Sequence, residues 1–122
     1  MKCMFSVIAA AAFIISSAAA HEVMKGPNGG RVVDASPHHI ELVVKDKAVS
    51  VFVTDSDDKP VQVTGFKGLA ILTVGGKAQR IALSPQDGNR IAGTAIVTVP
   101  PDVRGVVQVT GPDGKTAQGR FQ

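Results

Sequence analysis

From residue 40 onward, apolar side chains recur at every second position: Ile40/Leu42/Val44, Val49/Val51/Val53, Val61/Val63, Ile81/Leu83, Val97/Val99 and Val107/Val109. A period of two places one face of a strand on a core and the other toward water. Seventeen of the residues from 21 to 122 are Val, whose branched Cβ suits a pleated surface and is restricted in a helix. No segment carries a 3.6-residue stripe. The pattern predicts strands over about 31–34, 38–44, 48–54, 60–64, 69–74, 77–83, 90–99 and 103–110, with a last short one near 116–121. Seven to nine short antiparallel strands at this spacing predict an all-β fold, either a single sandwich or a partly closed barrel.

The gaps between the runs carry turn chemistry. Lys45-Asp46-Lys47 is short enough for a hairpin, and Gly75-Gly76 can take the positive φ values of a two-residue turn. Asp55-Ser-Asp-Asp-Lys-Pro60 and Ser84-Pro-Gln-Asp-Gly-Asn89 read as longer polar turns, and Pro100-Pro101 breaks the ladder for want of amide donors. Gly26-Pro-Asn-Gly29 and Gly111-Pro-Asp-Gly114 echo each other. Shared turn geometry accounts for the echo, because Pro presets φ at the first central position and Asx-Gly tolerates the backbone angles of the next two. A Gly-rich anion cradle is the sharper alternative, but a phosphate loop of that kind opens a helix, and here the next residues are strand-like Arg31-Val-Val.

Ahead of this domain stands a different kind of sequence. Sixteen of the first twenty residues are apolar; Lys2 precedes them and Ser16-Ser17-Ala18-Ala19-Ala20 closes them with small side chains. This is the layout of a secretory signal peptide, with cleavage expected after Ala20. The division is residues 1–20 as signal and 21–122 as one domain, periplasmic or secreted and with no membrane insertion once processed. Roughly 37% of the residues after 20 are apolar, and about 100 residues suffice for one core. Cys3, the only cysteine, leaves with the leader, so neither a disulfide nor a Cys-based metal site is expected. After residue 20 twelve basic side chains face ten acidic ones, interspersed, with no basic stripe and no Trp or Tyr. Nucleic acid is therefore not an expected partner.

The candidate chemistry is concentrated in three histidines, His21, His38 and His39. Cleavage after Ala20 would make His21 the first residue, and its α-amine and imidazole would form a chelating pair. Such a pair with a further imidazole suits Cu(II), which favours nitrogen ligands and heads the divalent affinity series. Both groups lose their protons near neutral pH. In His38-His39-Ile40-Glu41, alternation sets His39 and Glu41 on one face, about 6–7 Å apart, and His38 on the other, expected to face solvent. The candidate metal ligands are thus His21 and His39 first, with His38, Glu41 and Glu22 behind them. The plainer reading of His39 and Glu41 is a polar face in which the carboxylate tunes a structural histidine. Asp55-Ser-Asp-Asp58 does not fit a calcium loop, since Pro60 stands where Gly is needed and Phe66 where Glu is needed. There is no Gly-x-Ser-x-Gly elbow and no His-x-x-x-His pair, so no enzyme and no catalytic residue is expected.

Gly26-Pro-Asn-Gly-Gly-Arg-Val-Val-Asp34, His38-His-Ile-Glu-Leu-Val-Val-Lys-Asp46, Val49-Ser-Val-Phe-Val-Thr-Asp55 and Asp58-Lys-Pro-Val61 together resemble a known pattern. It is that of small exported, uncharacterised proteins similar to the β-rich segment near the N-terminus of heavy-metal efflux adaptor subunits of the periplasmic membrane-fusion type. The resemblance covers about residues 26–83. It implies a periplasmic setting, a link to metal-cation handling and, as partners, components of a cation efflux system. The long helical hairpin and lipoyl-like portions of such adaptors are missing from this sequence, so it implies a free-standing accessory module. The sequence thus leaves two functional expectations: a non-enzymatic periplasmic accessory protein that binds a divalent transition-metal cation, Cu(II) or another, or a structural or protein-interaction β module of the cell envelope.

Overall fold

The structure, a computed structural model, describes residues 24–122. Its strands are β1 (Met24–Lys25), β2 (Arg31–Ala35), β3 (His38–Lys45), β4 (Ala48–Thr54), β5 (Lys67–Val74), β6 (Lys77–Pro85), β7 (Arg90–Thr94), β8 (Arg104–Thr110) and β9 (Thr116–Phe121). They form one antiparallel sheet in the order β1-β2-β3-β4-β7-β6-β5-β8-β9, curled into a half-barrel, and there is no helix among the described residues. β6 is the hinge of the curl: its first part pairs with β5, and Ser84 and Pro85 pair with β7. Where β7 crosses β6, a Cβ on Gly93 would lie 2.1 Å from the Ala82 carbonyl oxygen, so only glycine allows the approach.

The period-two pattern becomes the inside of the curl. Ile40, Leu42, Val49, Val51, Val53, Leu72, Ile91, Val107 and Val109 are buried there, and each such side chain contributes about 1.5–3 kcal/mol relative to exposure. β2 and β9, near the two ends of the ladder, pack together by side chains. A Cβ on Gly119 would lie 2.7 Å from Ile40 Cδ1 and 2.8 Å from Val33 Cγ2. At the same end the Arg31 guanidinium lies 5.3 Å from the Phe121 ring centroid and donates to the Val103 carbonyl. Burial pulls the Arg31 pKa down, while the charge of Asp102 acts in the opposite sense.

The turns follow the sequence closely. Asp46 (φ 56°) begins the two-residue β3–β4 turn, and Gly75 and Gly76 (φ 58° and 79°) make the β5–β6 turn. The expected strand over 60–64 does not form. The Val61 amide donates to the Val53 carbonyl and the Val63 amide to that of Gly88, two different neighbours, so no ladder builds although Val63 is buried. The expected strand over 90–99 ends at Thr94. Beyond it Ala95 and Val99 stay buried, and their amides donate to the Lys47 and Asp46 carbonyls of the β3–β4 turn. The two-residue β1 is too short to leave a periodic signal, and the sequence pattern does not predict it.

Candidate functional site

β3 runs between β2 and β4, and ladder register sets the side chains beside it. On the outer face, His39 is flanked by Asp34 and Thr54, and Glu41 by Val32 and Phe52. His39 and Glu41 do share a face, as alternation predicts, and both line a groove of about 900 Å³ together with Phe52, Thr54 and Asp58. Met24, the first described residue, also lines it.

Two turns fold over that face. The first is Gly26–Gly30, in which the Gly26 amide donates to the Gly30 carbonyl and the Gly29 amide to that of Gly26. Its amides converge on Glu41. Asn28 N and Gly30 N donate to Oε2 at 2.9 and 2.8 Å, and Asn28 Nδ2 donates to Oε1 at 2.9 Å. Glu41 is only 4% exposed, the one charged or polar side chain among the buried described residues. The approach is so close that a Cβ on Gly26 would stand 2.2 Å from Glu41 Cδ. The turn is thus an anion cradle after all, and the anion is the chain's own carboxylate. This arrangement engages the Glu41 carboxylate with the turn rather than with His39 and occupies most of its acceptor positions.

The second turn is Asp55–Lys59. Asp55 Oδ1 accepts from the Asp57 and Lys59 amides at 2.8 and 2.9 Å, and the Lys59 hydrogen bond above all holds the Asp55 pKa below the ordinary value. Asp58, at φ 61°, sends its carboxylate back to β3, where Oδ1 lies 2.8 Å from His39 Nδ1. Among the described residues the side-chain hydrogen bond of the His39 ring is made at Nδ1. With Nδ1 donating to a carboxylate, Nε2 carries the free lone pair, the arrangement that a metal-binding imidazole uses.

His38 points the other way and is not brought to this groove. Its ring meets Phe66 edge-on, with centroids 6.0 Å apart at 66°, and lines a smaller hollow of about 380 Å³ with Pro37 and Pro112. The expectation of a solvent-facing His38 is corrected: it is half-buried, and its Nδ1 is buried without a partner. His21, Glu22 and the leader with its cleavage point lie outside the described residues. Among the described residues no group of three or more His, Cys, Asp or Glu side chains is arranged to hold a metal ion. Any such site must therefore complete itself from elsewhere.

Asp58 and Asn28 are the residues that sequence reasoning does not single out. The ladder, rather than any local motif, sets Asp58 beside a histidine nineteen positions earlier. The one sequence signal is the length of Asp55–Lys59, which matches that of the two Gly-Pro-Asx-Gly turns, with Asp where they have Gly. Comparisons with family models, with curated proteins and with solved structures return no match to this chain.

Proposed function

We propose that the protein is a non-enzymatic exported accessory module that binds a divalent transition-metal cation on the outer face of β3. Its ligands are His39 Nε2 and the α-amine and imidazole of His21, which becomes the N-terminal residue on cleavage after Ala20; Glu22 is a secondary oxygen donor. Cu(II) is the cation this nitrogen-rich set suits best. The observation that carries the reading is the position of His39: it lines the same groove as Met24, the first described residue. Met24 stands three positions after His21 in sequence, a reach of up to about 10 Å. Narrowing the ligands also supports it, since Glu41 is committed to its cradle and His38 faces another hollow. We further read the half-barrel as a partly closed barrel, because a single ladder runs from β1 to β9. In the cell the module would hold the cation for components of a cation efflux system, the setting that the sequence resemblance implies.

The test is a calorimetric titration of the exported, processed chain, its first residue verified by mass spectrometry, with Cu(II), Zn(II), Ni(II) and Co(II). Cu(II) should bind most tightly, and His39→Ala and His21→Ala should each weaken it about tenfold or more, a loss of about 1.4 kcal/mol. A Cu(II) affinity unmoved by both substitutions overturns the reading and leaves the structural or protein-interaction module.

A further inference from the structure

Three turns of this chain share one hydrogen-bond pattern. In Gly26–Gly30, Asp55–Lys59 and Gly111–Lys115 the first amide donates to the carbonyl four residues on, and the fourth amide donates back to the first carbonyl. In each the fourth residue is left-handed, with φ 81° at Gly29, 61° at Asp58 and 82° at Gly114. Glycine adopts that conformation freely, whereas a side chain there is disfavoured, Asp and Asn least so. Two of the three turns use glycine and the third uses Asp58.

Stability does not explain the exception. The Asp58 and His39 side chains are 78% and 32% exposed, and an ion pair so open to water adds little. What Asp58 has that glycine would lack is a carboxylate 2.8 Å from His39 Nδ1. Asp also takes a left-handed position at Asp46, with φ 56°, so it is the contact with His39 that points to a task for the Asp58 side chain.

We infer that Asp58 is the positioning residue of the cation site, holding the Nδ1 proton of His39 so that Nε2 is the nitrogen presented to the groove. The inference rests on the function proposed above and deepens it. Asp58 touches no cation itself. It fixes the tautomer and the ring plane of the residue that does, and the same contact makes the imidazole a better electron donor. The ladder supplies the rest of the constraint, since His39 pairs with Thr54 immediately before the Asp55–Lys59 turn. Strand and turn therefore deliver imidazole and carboxylate to one place as a single hairpin.

Asp58→Gly keeps the turn and removes the carboxylate; Asp58→Asn keeps an acceptor oxygen, tolerates the left-handed backbone and removes the charge. In the metal-free processed chain at about pH 8.5, where a free imidazole of pKa about 6.5 is neutral, long-range proton–nitrogen correlation reads the tautomer of each histidine. We expect His39 to be Nδ1-protonated in the native chain and in Asp58→Asn, and to populate the Nε2-protonated form in Asp58→Gly, with His38 unchanged throughout. Cu(II) affinity should fall about 10–100-fold in Asp58→Gly and by less in Asp58→Asn. An unchanged His39 tautomer in Asp58→Gly overturns the inference, and so does a changed tautomer with unchanged Cu(II) affinity. An equal loss of affinity in both variants overturns it too, because charge rather than orientation would then be acting. If His39→Ala weakens Cu(II) binding and Asp58→Gly does not, this inference fails and the proposed function stands. If neither His39→Ala nor His21→Ala changes Cu(II) affinity, the proposed function fails and this inference with it.

Discussion

Glu41 offers the sharpest test of how this face is built. Its carboxylate accepts from two backbone amides and one side-chain amide, all at 2.8–2.9 Å, and is almost entirely buried. Glu41→Ala removes the acceptor from all three donors at once. Hydrogen bonds to a charged group contribute about 1.5–3 kcal/mol each, but water can reach part of the vacated space beside the exposed Asn28, so the sum is not realised. We expect a loss of about 3 kcal/mol for Glu41→Ala, in the lower range for breaking a buried charged contact. Glu41→Gln should lose only about 1 kcal/mol, because its one oxygen can accept both backbone amides while the Asn28 amide turns to offer its own oxygen to the new NH2. Urea unfolding followed by circular dichroism measures both. For a domain of this size about 3 kcal/mol corresponds to a drop in Tm of at least about 12 °C. Gly26→Ala, whose new methyl would collide with Glu41 Cδ, should disrupt the same contact. The Gly26→Ala/Glu41→Ala double variant should therefore lose clearly less than the two single losses combined. A Glu41→Ala chain within about 1 kcal/mol of the native one, or strict additivity in the double variant, would refute the cradle as a stabilising unit. Glu41→Gln should also keep its Cu(II) affinity; if it does not, the carboxylate is a ligand and the division of labour on this face is wrong.

Two further outcomes are expected of the same structure. Gly119→Ala places a methyl within 2.8 Å of both Ile40 Cδ1 and Val33 Cγ2 where β2 meets β9, and overpacking of this kind should destabilise by about 1–3 kcal/mol in urea unfolding; a neutral result would show that the two strands part easily there. The Lys59 and Asp57 amides hold the Asp55 pKa below its ordinary value, so Asp55 contributes to stability above the unfolded-state pKa of about 3.9, and that contribution is lost as pH falls through the lower folded value. Amide resonances of Asp57 and Lys59 should accordingly titrate with a midpoint below about 3.9, and a midpoint at or above it contradicts the hydrogen-bonded turn.

The parts of this fold that are legible in the sequence are those decided by local rules. Alternation identifies β3, β4, β6 and β8 because each has one face on the core, and Gly75-Gly76 marks its turn because few other pairs accept those φ values. Where alternation misleads, another requirement has taken over. Val61 and Val63 alternate as a strand would, but one amide goes to Val53 of β4 and the other to Gly88 in the β6–β7 turn. Val97 and Val99 do the same, yet the chain there wraps the β3–β4 turn, with Ala95 and Val99 buried. Glu41 breaks the pattern in the opposite sense, being buried on the outer face because a turn lies over it. Local rules place His39 and Glu41 on one face correctly, yet they cannot say which of the two is already engaged. That depends on Asn28 and Asp58, which stand in the turns before β2 and after β4, thirteen and nineteen positions from their β3 partners.

The two turns over β3 show how one backbone device can serve opposite ends. In Gly26–Gly30 the residue at the first position is Gly because the carboxylate of Glu41 presses against it, and the free amides of the turn close around that charge. In Asp55–Lys59 the first residue supplies its own carboxylate to the turn amides, so those donors are already satisfied. The same backbone then has no need of an outside anion, and the left-handed fourth residue is free to carry an outward-reaching group. The first turn withdraws a carboxylate from the face of β3 and the second adds one, to His39 rather than to the groove at large. The net effect is an imidazole polarised from one side, with the nearest glutamate masked. If this face takes a cation as proposed, the His39 imidazole leads the site, with Asp34 as the neighbouring carboxylate on the groove. Hence Cu(II) should be preferred, and a hard, oxygen-seeking ion such as Ca(II) should bind the processed chain no more tightly after Asp58 is restored from Gly than before.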